Sequence, residues 1–202
     1  MIIRLGSPPD VGALSDLMFA DPPREAIVLA GGLDNARRFE AELLEGALQI
    51  PNSVVLVAVE RDAPVGFAWV SDGSDVPSLR QVAVVAVRAM GVAGALGAAW
   101  PASARLGVDM SPPEGGRNLT ELHVHPDHRG RGIGCALLEA AVAYARNERA
   151  AHVSLTTGST NPARRLYERQ GFEVVRERTS RRYARLTGIP GRLLMLKDLE
   201  SA

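Results

Sequence analysis

The sequence predicts one α/β domain, of the α+β kind, built on a mixed, mostly antiparallel sheet of about seven strands with helices on both faces. Seven short segments rich in β-branched and apolar residues alternate with stretches of helical periodicity. Residues 119–157 form a predicted strand–helix–strand unit, and such a crossover joins parallel strands. The chain of 202 residues suits one domain with a full core, so we treat 1–202 as a single unit.

The first elements are a strand over 2–5 and two helices. Ser7 followed by two prolines is typical of a helix start, because serine caps the first turn and proline tolerates it. A second helix is predicted from near Asp34, ending before Pro51. Its apolar face is formed by Ala36, Phe39, Leu43 and Ala47.

A hairpin follows, with a central strand at 53–60 and its partner at 65–70. The next segment, 71–116, is far longer than a hairpin connection needs. One or two inserted helices are predicted there from apolar residues at helical spacing: Leu79, Val82, Ala86 and Met90. We expect this helical insertion to serve as a lid or dimer surface that helps select the substrate, or else to add core packing.

The second half of the chain contains the strand–helix–strand unit and two further strands. A short helix capped by Asn161 and ended by Gly171 is expected before those last strands. The predicted elements are a strand at 119–124, a helix at 133–147, and strands at 152–157, 172–178 and 192–199.

Composition excludes several classes of protein. The net charge is zero, which argues against a dedicated nucleic-acid binder. The single cysteine, Cys135, excludes a disulfide framework. The longest charge-free stretch, 89–104, is too short and too rich in glycine to span a membrane, and no secretory signal is visible. We therefore expect a cytoplasmic protein, and the dominance of Arg, Ala and Gly indicates a GC-rich, bacterial genome.

Charge is nevertheless unevenly distributed. Residues 1–116 contain 8 Arg and 14 Asp or Glu, whereas residues 117–202 contain 15 Lys or Arg and 9 Asp or Glu. A basic C-terminal half suits a phosphorylated small ligand, although on charge alone a solvated arginine-rich face is the favoured explanation. The densest basic run lies between the last two strands, where we expect a solvated loop: Arg176, Arg178, Arg181, Arg182 and Arg185.

The most informative segment is the loop from Val124 to Gly134, which links a strand to a helix. It ends with glycines at 130, 132 and 134, directly after Arg129. Glycine lets the backbone approach a ligand closely, and the first turn of a helix presents unpaired N–H groups and a positive dipole end. The loop therefore predicts a pyrophosphate cradle.

These residues resemble a known family. Arg129-x-x-Gly132-x-Gly134 is similar to the Arg/Gln-x-x-Gly-x-Gly/Ala signature of the GNAT N-acetyltransferases. A second signature of that family resembles Asn161-Pro162-Ala163 leading to Leu166-Tyr167. The matched region, 119–172, is 54 of 202 residues. Asn161 precedes Tyr167 by six residues, where the family usually has seven, so one residue is missing near the start of this helix.

The resemblance implies transfer of an acetyl group from acetyl-CoA, as co-substrate, to a primary amine by direct attack. It implies the GNAT fold, in which a parallel strand pair splays around the CoA site, with the Val124 N–H as oxyanion donor and Tyr167 as general acid. The implied cofactor contacts are Leu122, His123, Val124, Arg129, Gly130, Arg131, Gly132, Ile133, Gly134, Asn161 and Tyr167.

The general base is left open between two residues. Glu121 and His123 share one face of their strand, since side chains alternate, and either one could take the amine proton or make a structural hydrogen bond. The three histidines at 123, 125 and 128 lack a thiol and a second shell, so we expect no metal. Cys135 lies in the first helical turn, where we expect it to pack rather than act as a nucleophile.

Two other functions remain open at this stage: transfer of another acyl group, such as succinyl, and a non-catalytic acyl-CoA-binding module. The acceptor amine is not indicated by any motif.

Overall fold

The computed structural model describes residues 1–50, 52–73 and 79–199. Pro51 and the side chain of Leu79 lie outside the described residues. The described strands form one sheet in the order β1-β2-β3-β4-β5-β7-β6, in which only β4 and β5 are parallel. The strands are β1 Ile2–Leu5, β2 Val54–Glu60, β3 Ala63–Ser71, β4 Arg117–Val124, β5 His152–Gly158, β6 Glu173–Thr179 and β7 Gly191–Asp198. The seven-stranded mixed sheet predicted from the sequence is confirmed.

Seven α-helices accompany the sheet in the described ranges. They are α1 Val11–Met18, α2 Arg24–Ala30, α3 Leu33–Ala47, α4 Leu79–Ala102, α5 Ile133–Asn147, α6 Arg164–Arg169 and α7 Arg181–Thr187. Two of them, α2 and α7, were not predicted. The expectation of an arginine-rich loop between the last two strands is wrong, because α7 lies there. Ser180 caps this helix, and Gly188 ends it in the left-handed conformation.

Apolar side chains cover the two faces of the sheet in separate clusters. Leu137, Leu138 and Ala141 of α5 are fully buried against one face, together with Val70 and Leu119 of the sheet. Helices α1 and α3 cover the other face and contact Phe67 and Trp69 of β3. These two clusters put the start of α5 and the helices α1–α3 on opposite sides of the same strands.

The parallel pair separates after three residues. Arg117, Asn118 and Leu119 pair with β5, and no pairing with β5 is made by the rest of β4 as the structure describes it. The register of β4 against β3 also shifts at this point, where Thr120 is the extra residue of a β-bulge. The bulge reverses the alternation of side chains, so that Leu119 packs with α5 whereas Glu121 pairs with Trp69, which packs under α3. A gap therefore opens between β4 and β5.

The helical insertion is one long helix with a sharp kink. Gly91 has φ 71° and ψ 172°, outside the helical range, and divides α4 into two halves. Along the first half Val82, Ala86 and Met90 of the predicted stripe are half-buried, and Met90 packs against the α1/α3 cluster beside the buried Ala89. On the outer face of the second half, Val92, Leu96 and Trp100 are 63%, 72% and 71% exposed.

One helix among the described residues, Arg80–Gly107, is long and apolar enough by length and composition to cross a membrane. This corrects the sequence-based expectation, which considered only the charge-free stretch 89–104, whereas the helix continues past Arg88. The kink at Gly91 divides this helix into two straight halves, and each half is shorter than the about 20 residues that a membrane span requires. Such a helix is weak evidence for a membrane segment, and α4 packs on α2 and α3.

Candidate active site

The loop between β4 and α5 takes the shape that its glycines allow. A short 3-10 turn at Pro126–His128 precedes two residues in the left-handed region, Gly130 with φ 75° and Gly132 with φ 83°. Any other residue is strained in this conformation. A Cβ atom at either position would meet nothing within 4 Å, so the concave side of the loop is open.

The first turn of α5 lacks a side-chain cap. Gly132 occupies the N-cap position without a side chain, and the first intrahelical bond runs from the Ala136 N–H to the Gly132 carbonyl. The N–H groups of Ile133, Gly134 and Cys135 therefore have no partner within the helix. Three such N–H groups at the positive end of the helix dipole form an anion site, and this arrangement fits the pyrophosphate of CoA.

Arg129 fixes the start of the loop. Its Nε donates to the carbonyl of Val124 at 3.2 Å, and its Nη1 lies 2.7 Å from the carboxylate of Asp21. Both side chains of this ion pair are more than half exposed. Arg131, two residues later, is exposed beside the open side of the loop. The predicted cradle residues 129–134 thus lie together.

The gap between the parallel strands adjoins this loop. The His125 N–H donates to Val65 on β3, and hydrogen bonding alternates along an antiparallel strand, so the N–H groups of Leu122 and Val124 point to the opposite side. That side faces the gap, because β5 has diverged beyond Leu119. The Val124 N–H has the direction that an oxyanion donor requires.

Glu121 and His123 form a hydrogen-bonded pair. The ring Nε2 of His123 lies 2.8 Å from Oε2 of Glu121, and its ring stacks on Phe67 with centroids 5.2 Å apart. The imidazole is therefore fixed from two sides, while its partner carboxylate remains about one-third exposed. The two candidate bases therefore form one hydrogen-bonded unit.

Tyr167 approaches the gap from α6. The residue is only 6% exposed and packs against Phe172. Within residues 1–50, 52–73 and 79–199 its hydroxyl makes no hydrogen bond. Burial, and next the nearby carboxylate of Glu121, raise the pKa of Tyr167 well above its usual value. The phenol therefore stays protonated and can donate, which is what a general acid needs.

Asn161 uses its side chain to shape the start of α6. Its Oδ1 accepts from the Ala163 N–H at 2.9 Å, and its Nδ2 donates to Thr157 at 2.9 Å. The helix begins at Arg164, three residues after the expected cap, because this side-chain turn replaces its first residues. The prediction that Asn161 is the N-cap is therefore wrong by two residues: Ala163 holds that position, and Asn161 forms the turn that precedes it.

A family model described as "Acetyltransferase (GNAT) family" matches residues 32–172, more than half of the chain. The chain belongs to the GNAT acetyltransferase family. The match spans α3, the kinked insertion, the cradle and α6, so both sides of the gap lie within this GNAT domain.

Curated relatives resemble only part of the GNAT chain. An uncharacterized N-acetyltransferase of Methanocaldococcus jannaschii is 44% identical over 61 residues, which are 28% of this chain and 27% of the relative. A streptothricin acetyltransferase of Streptomyces lavendulae is 40% identical over 55 residues, 27% of this chain and 29% of the relative. The chain thus matches less than a third of the length of either relative.

Solved structures resemble the whole chain. The PaiA N-acetyltransferase of Thermoplasma acidophilum, solved in complex with coenzyme A, is similar with a TM-score of 0.59 at 15% identity, over 98% of this chain and 100% of that one. At this identity the likeness establishes the fold. The GNAT fold expected from the resemblance is confirmed.

Other sequence candidates have ordinary surroundings in this GNAT domain. No group of three or more His, Cys, Asp or Glu side chains in the described part of the chain is arranged to hold a metal ion. The thiol of Cys135 contacts Gln170 and Glu139. Its contacts suit the packing interpretation.

One acidic residue on α3 was missed by the sequence analysis. Glu40 lies on α3 one turn from Ala36 and one turn from Leu44, and both neighbours are 1% exposed. Glu40 therefore lies on the inner face of α3, where it is half-buried. Burial, and next the carboxylate of Glu121, raise the pKa of Glu40 to about 8. A charged residue at a core position of an apolar stripe is the signal that could have identified it.

Proposed function

We propose that the protein transfers an acetyl group from acetyl-CoA to a primary amine by direct attack. The single observation that supports this most strongly is the opening of β4 from β5 beyond Leu119, directly beside the uncapped start of α5. An anion site for the pyrophosphate and exposed strand N–H groups for the thioester then lie along one path. Both are made of backbone atoms.

The proposed roles follow from the geometry. The N–H groups at 129–134 hold the CoA pyrophosphate, with Arg129 and Arg131 beside them, and the strand residues Leu122 to Val124 face the pantetheine arm. The Val124 N–H stabilises the oxyanion of the thioester, a contribution of about 10²–10³ in rate for such a donor. Asn161 and Tyr167 border the same gap from the α6 side.

The proton balance of the step uses two groups. A protonated amine gives one proton to the Glu121–His123 pair, and its nitrogen then bonds to the acetyl carbon. The carbon–sulfur bond breaks, Tyr167 gives its proton to the departing thiolate, and the amide nitrogen loses its second proton to the phenolate. The pair returns its proton to water after turnover.

The test is a thiol-release assay. We expect the protein to liberate the free thiol of CoA from acetyl-CoA only when a primary amine is added, with a product heavier by one acetyl group. Succinyl-CoA in place of acetyl-CoA tests the alternative acyl group. Binding of acetyl-CoA without amine-dependent thiol release across a panel of amines and peptides would support the non-catalytic binding module instead.

Three narrower expectations remain predictions. They are a cytoplasmic location, a bacterial source and a homodimer. The exposed apolar face at Val92, Leu96 and Trp100 supports the dimer, and an equilibrium sedimentation experiment measures it. No role for nucleic acid or a membrane is proposed.

A further inference from the structure

A cavity outside the gap lies between the last turn of α4 and α7. Its volume is about 460 Å³, which is within the range of small-molecule sites. Helix α7 packs against α2 and against the 3-10 turn Ser103–Gly107, whereas the cradle lies at the start of α5, on the other face of the sheet. The residues that line the cavity are Trp100, Arg181, Arg182, Arg185 and Leu186.

The charge of this cavity is positive and uncompensated. In the part of the chain that the structure describes, no carboxylate lines it, and the segments that supply its lining, 79–108 and 178–197, contain no Asp or Glu at all. Arg181 and Arg185 are exposed one turn apart on α7 and make no hydrogen bond or ion pair with any described residue. Guanidinium groups gathered in this way repel one another, and an anion bound among them removes that cost.

Arg182 is fixed against Trp100. Its Nη2 donates to the carbonyl of Trp100 at 2.5 Å and to the hydroxyl of Ser103 at 2.7 Å, and its guanidinium carbon lies 3.9 Å from the centre of the indole ring. This cation–π contact covers one face of the ring. Trp100 is nevertheless 71% exposed, so its other face is open. An open indole face that is held in place is a platform on which a flat ring can stack.

A second copy of the chain matches this end of α4 less well than an anion does. In a two-fold symmetric interface the same surface of both copies meets, so an interface centred on Trp100 would bring the arginines of α7 close to those of the partner. Like charges facing each other in this way are unfavourable. Val92 and Leu96, farther along α4, remain available for the predicted homodimer.

We propose that this cavity binds a small aromatic anion, with its ring against Trp100 and its phosphate or carboxylate group between Arg181 and Arg185. The guanidinium fork pairs with the oxygens of either group. Side chains four residues apart on a helix have Cβ atoms about 5–6 Å apart, so both arginines can reach one such group. The site is separate from the acetyl-CoA cradle and from the groups assigned to acetyl transfer.

The test follows the fluorescence of Trp100, because the other tryptophan, Trp69, is buried in the core. The probes are AMP, with a ring and a phosphate, benzoate, with a ring and a carboxylate, adenosine, with the ring alone, and inorganic phosphate. We expect AMP or benzoate to quench the fluorescence with an affinity at least about tenfold above those of adenosine and phosphate. Which of the two binds identifies the anionic group. The double variant Arg181→Gln/Arg185→Gln should lose this preference.

Two controls separate this site from others. Arg88→Gln, on the exposed face of α4, should bind AMP or benzoate as the wild type does. Gly132→Leu, in the cradle, should also keep the binding, which distinguishes the cavity from a nucleotide held at the CoA site. Binding that is lost in Gly132→Leu overturns the inference. So does a double variant that binds like the wild type, or a wild type that binds neither aromatic anion more tightly than phosphate.

Discussion

The two sides of the gap between β4 and β5 differ in the groups that form them: backbone atoms on one side and side chains on the other. On the α5 side the candidate cradle consists of backbone N–H groups, two glycines with positive φ and an uncapped helix start. On the α3 side the candidate acceptor site consists of side chains, chiefly the hydrogen-bonded Glu121 and His123 of β4. The charge of Glu121 also raises the pKa of Glu40 on the distant helix α3. The α5 side presents fixed hydrogen-bond donors, and the α3 side presents charged side chains.

This difference explains what each side can recognise. A backbone cradle binds the same phosphate group whatever side chains surround it, so a constant co-substrate suits it. A site made of carboxylates changes with a single substitution, so it suits a substrate that differs between relatives. We therefore expect substitutions on the two sides to separate cleanly in their effects on acetyl-CoA and on the acceptor.

The largest expected effect is on the chemistry at the junction of the two sides. Tyr167→Phe removes the only hydroxyl of that side chain and keeps its ring in contact with Phe172. We expect kcat to fall by about 10²-fold while acetyl-CoA affinity and the fold are retained, because a general acid contributes in the transition state only. Tyr144→Phe on α5 serves as the control. An equal kcat in the Tyr167 variant would make water the proton donor.

The next-largest expected effect concerns the pH-dependent stability that Glu40 contributes. The pKa of Glu40 is raised in the folded protein to about 8, so the fold favours its neutral form. The stability associated with that form is complete below about pH 4, the range of an ordinary glutamate, and is lost as pH rises through 8. Glu40→Gln should thus be more stable than wild type at pH 9, by about 1 kcal/mol or 2–4 °C in Tm, and equal at pH 4.

Thermal unfolding followed by circular dichroism at both pH values measures this difference. Glu45→Gln, on the exposed side of α3, should show no such pH-dependent gain. A Glu40→Gln curve parallel to that of the wild type from pH 4 to 9 would mean that Glu40 is solvated.

The smallest effect concerns the helical insertion. Arg105 follows α4 and lies between Asp109 and Glu25, near Glu40. Its replacement by glutamine makes the acceptor side more negative, so the KM for a positively charged amine acceptor should fall by about threefold while the KM for acetyl-CoA stays constant. Arg88→Gln, on the exposed face of α4, should alter neither constant. A shift in the acetyl-CoA constant would show that the insertion reaches the cradle.

Sequence predicted the cradle side better than the acceptor side, and the reason is physical. A strand, three glycines and a helix start are neighbours in the chain, so Gly130, Gly132 and Ile133 were identified together. Helix α5 was predicted with the bounds that the structure has, because its apolar face is uninterrupted. Glu121 and His123 were placed on one face of their strand by alternation alone.

The acceptor side depends on contacts between distant segments. The predicted inner face of the second helix included Ala36 and Ala47, which are buried, but it missed Leu44, which is 1% exposed. Helices α2 and α7 have seven residues each, too few for periodicity to be detected. The bulge at Thr120, which opens the gap, depends on how β4 aligns with β3 and leaves no mark in the sequence of β4 itself.

The central claim is that backbone groups at the start of α5 hold acetyl-CoA independently of the acidic side. Calorimetric titration of CoA into wild type, Gly132→Leu and Gly115→Leu tests it most directly. Gly132 and Gly115 both have positive φ, and an added Cβ atom would meet nothing within 4 Å at either position, so the two variants carry similar strain. Only Gly132→Leu should weaken CoA binding, by about tenfold or more, which is about 1.4 kcal/mol. Equal affinity in all three proteins would contradict the account.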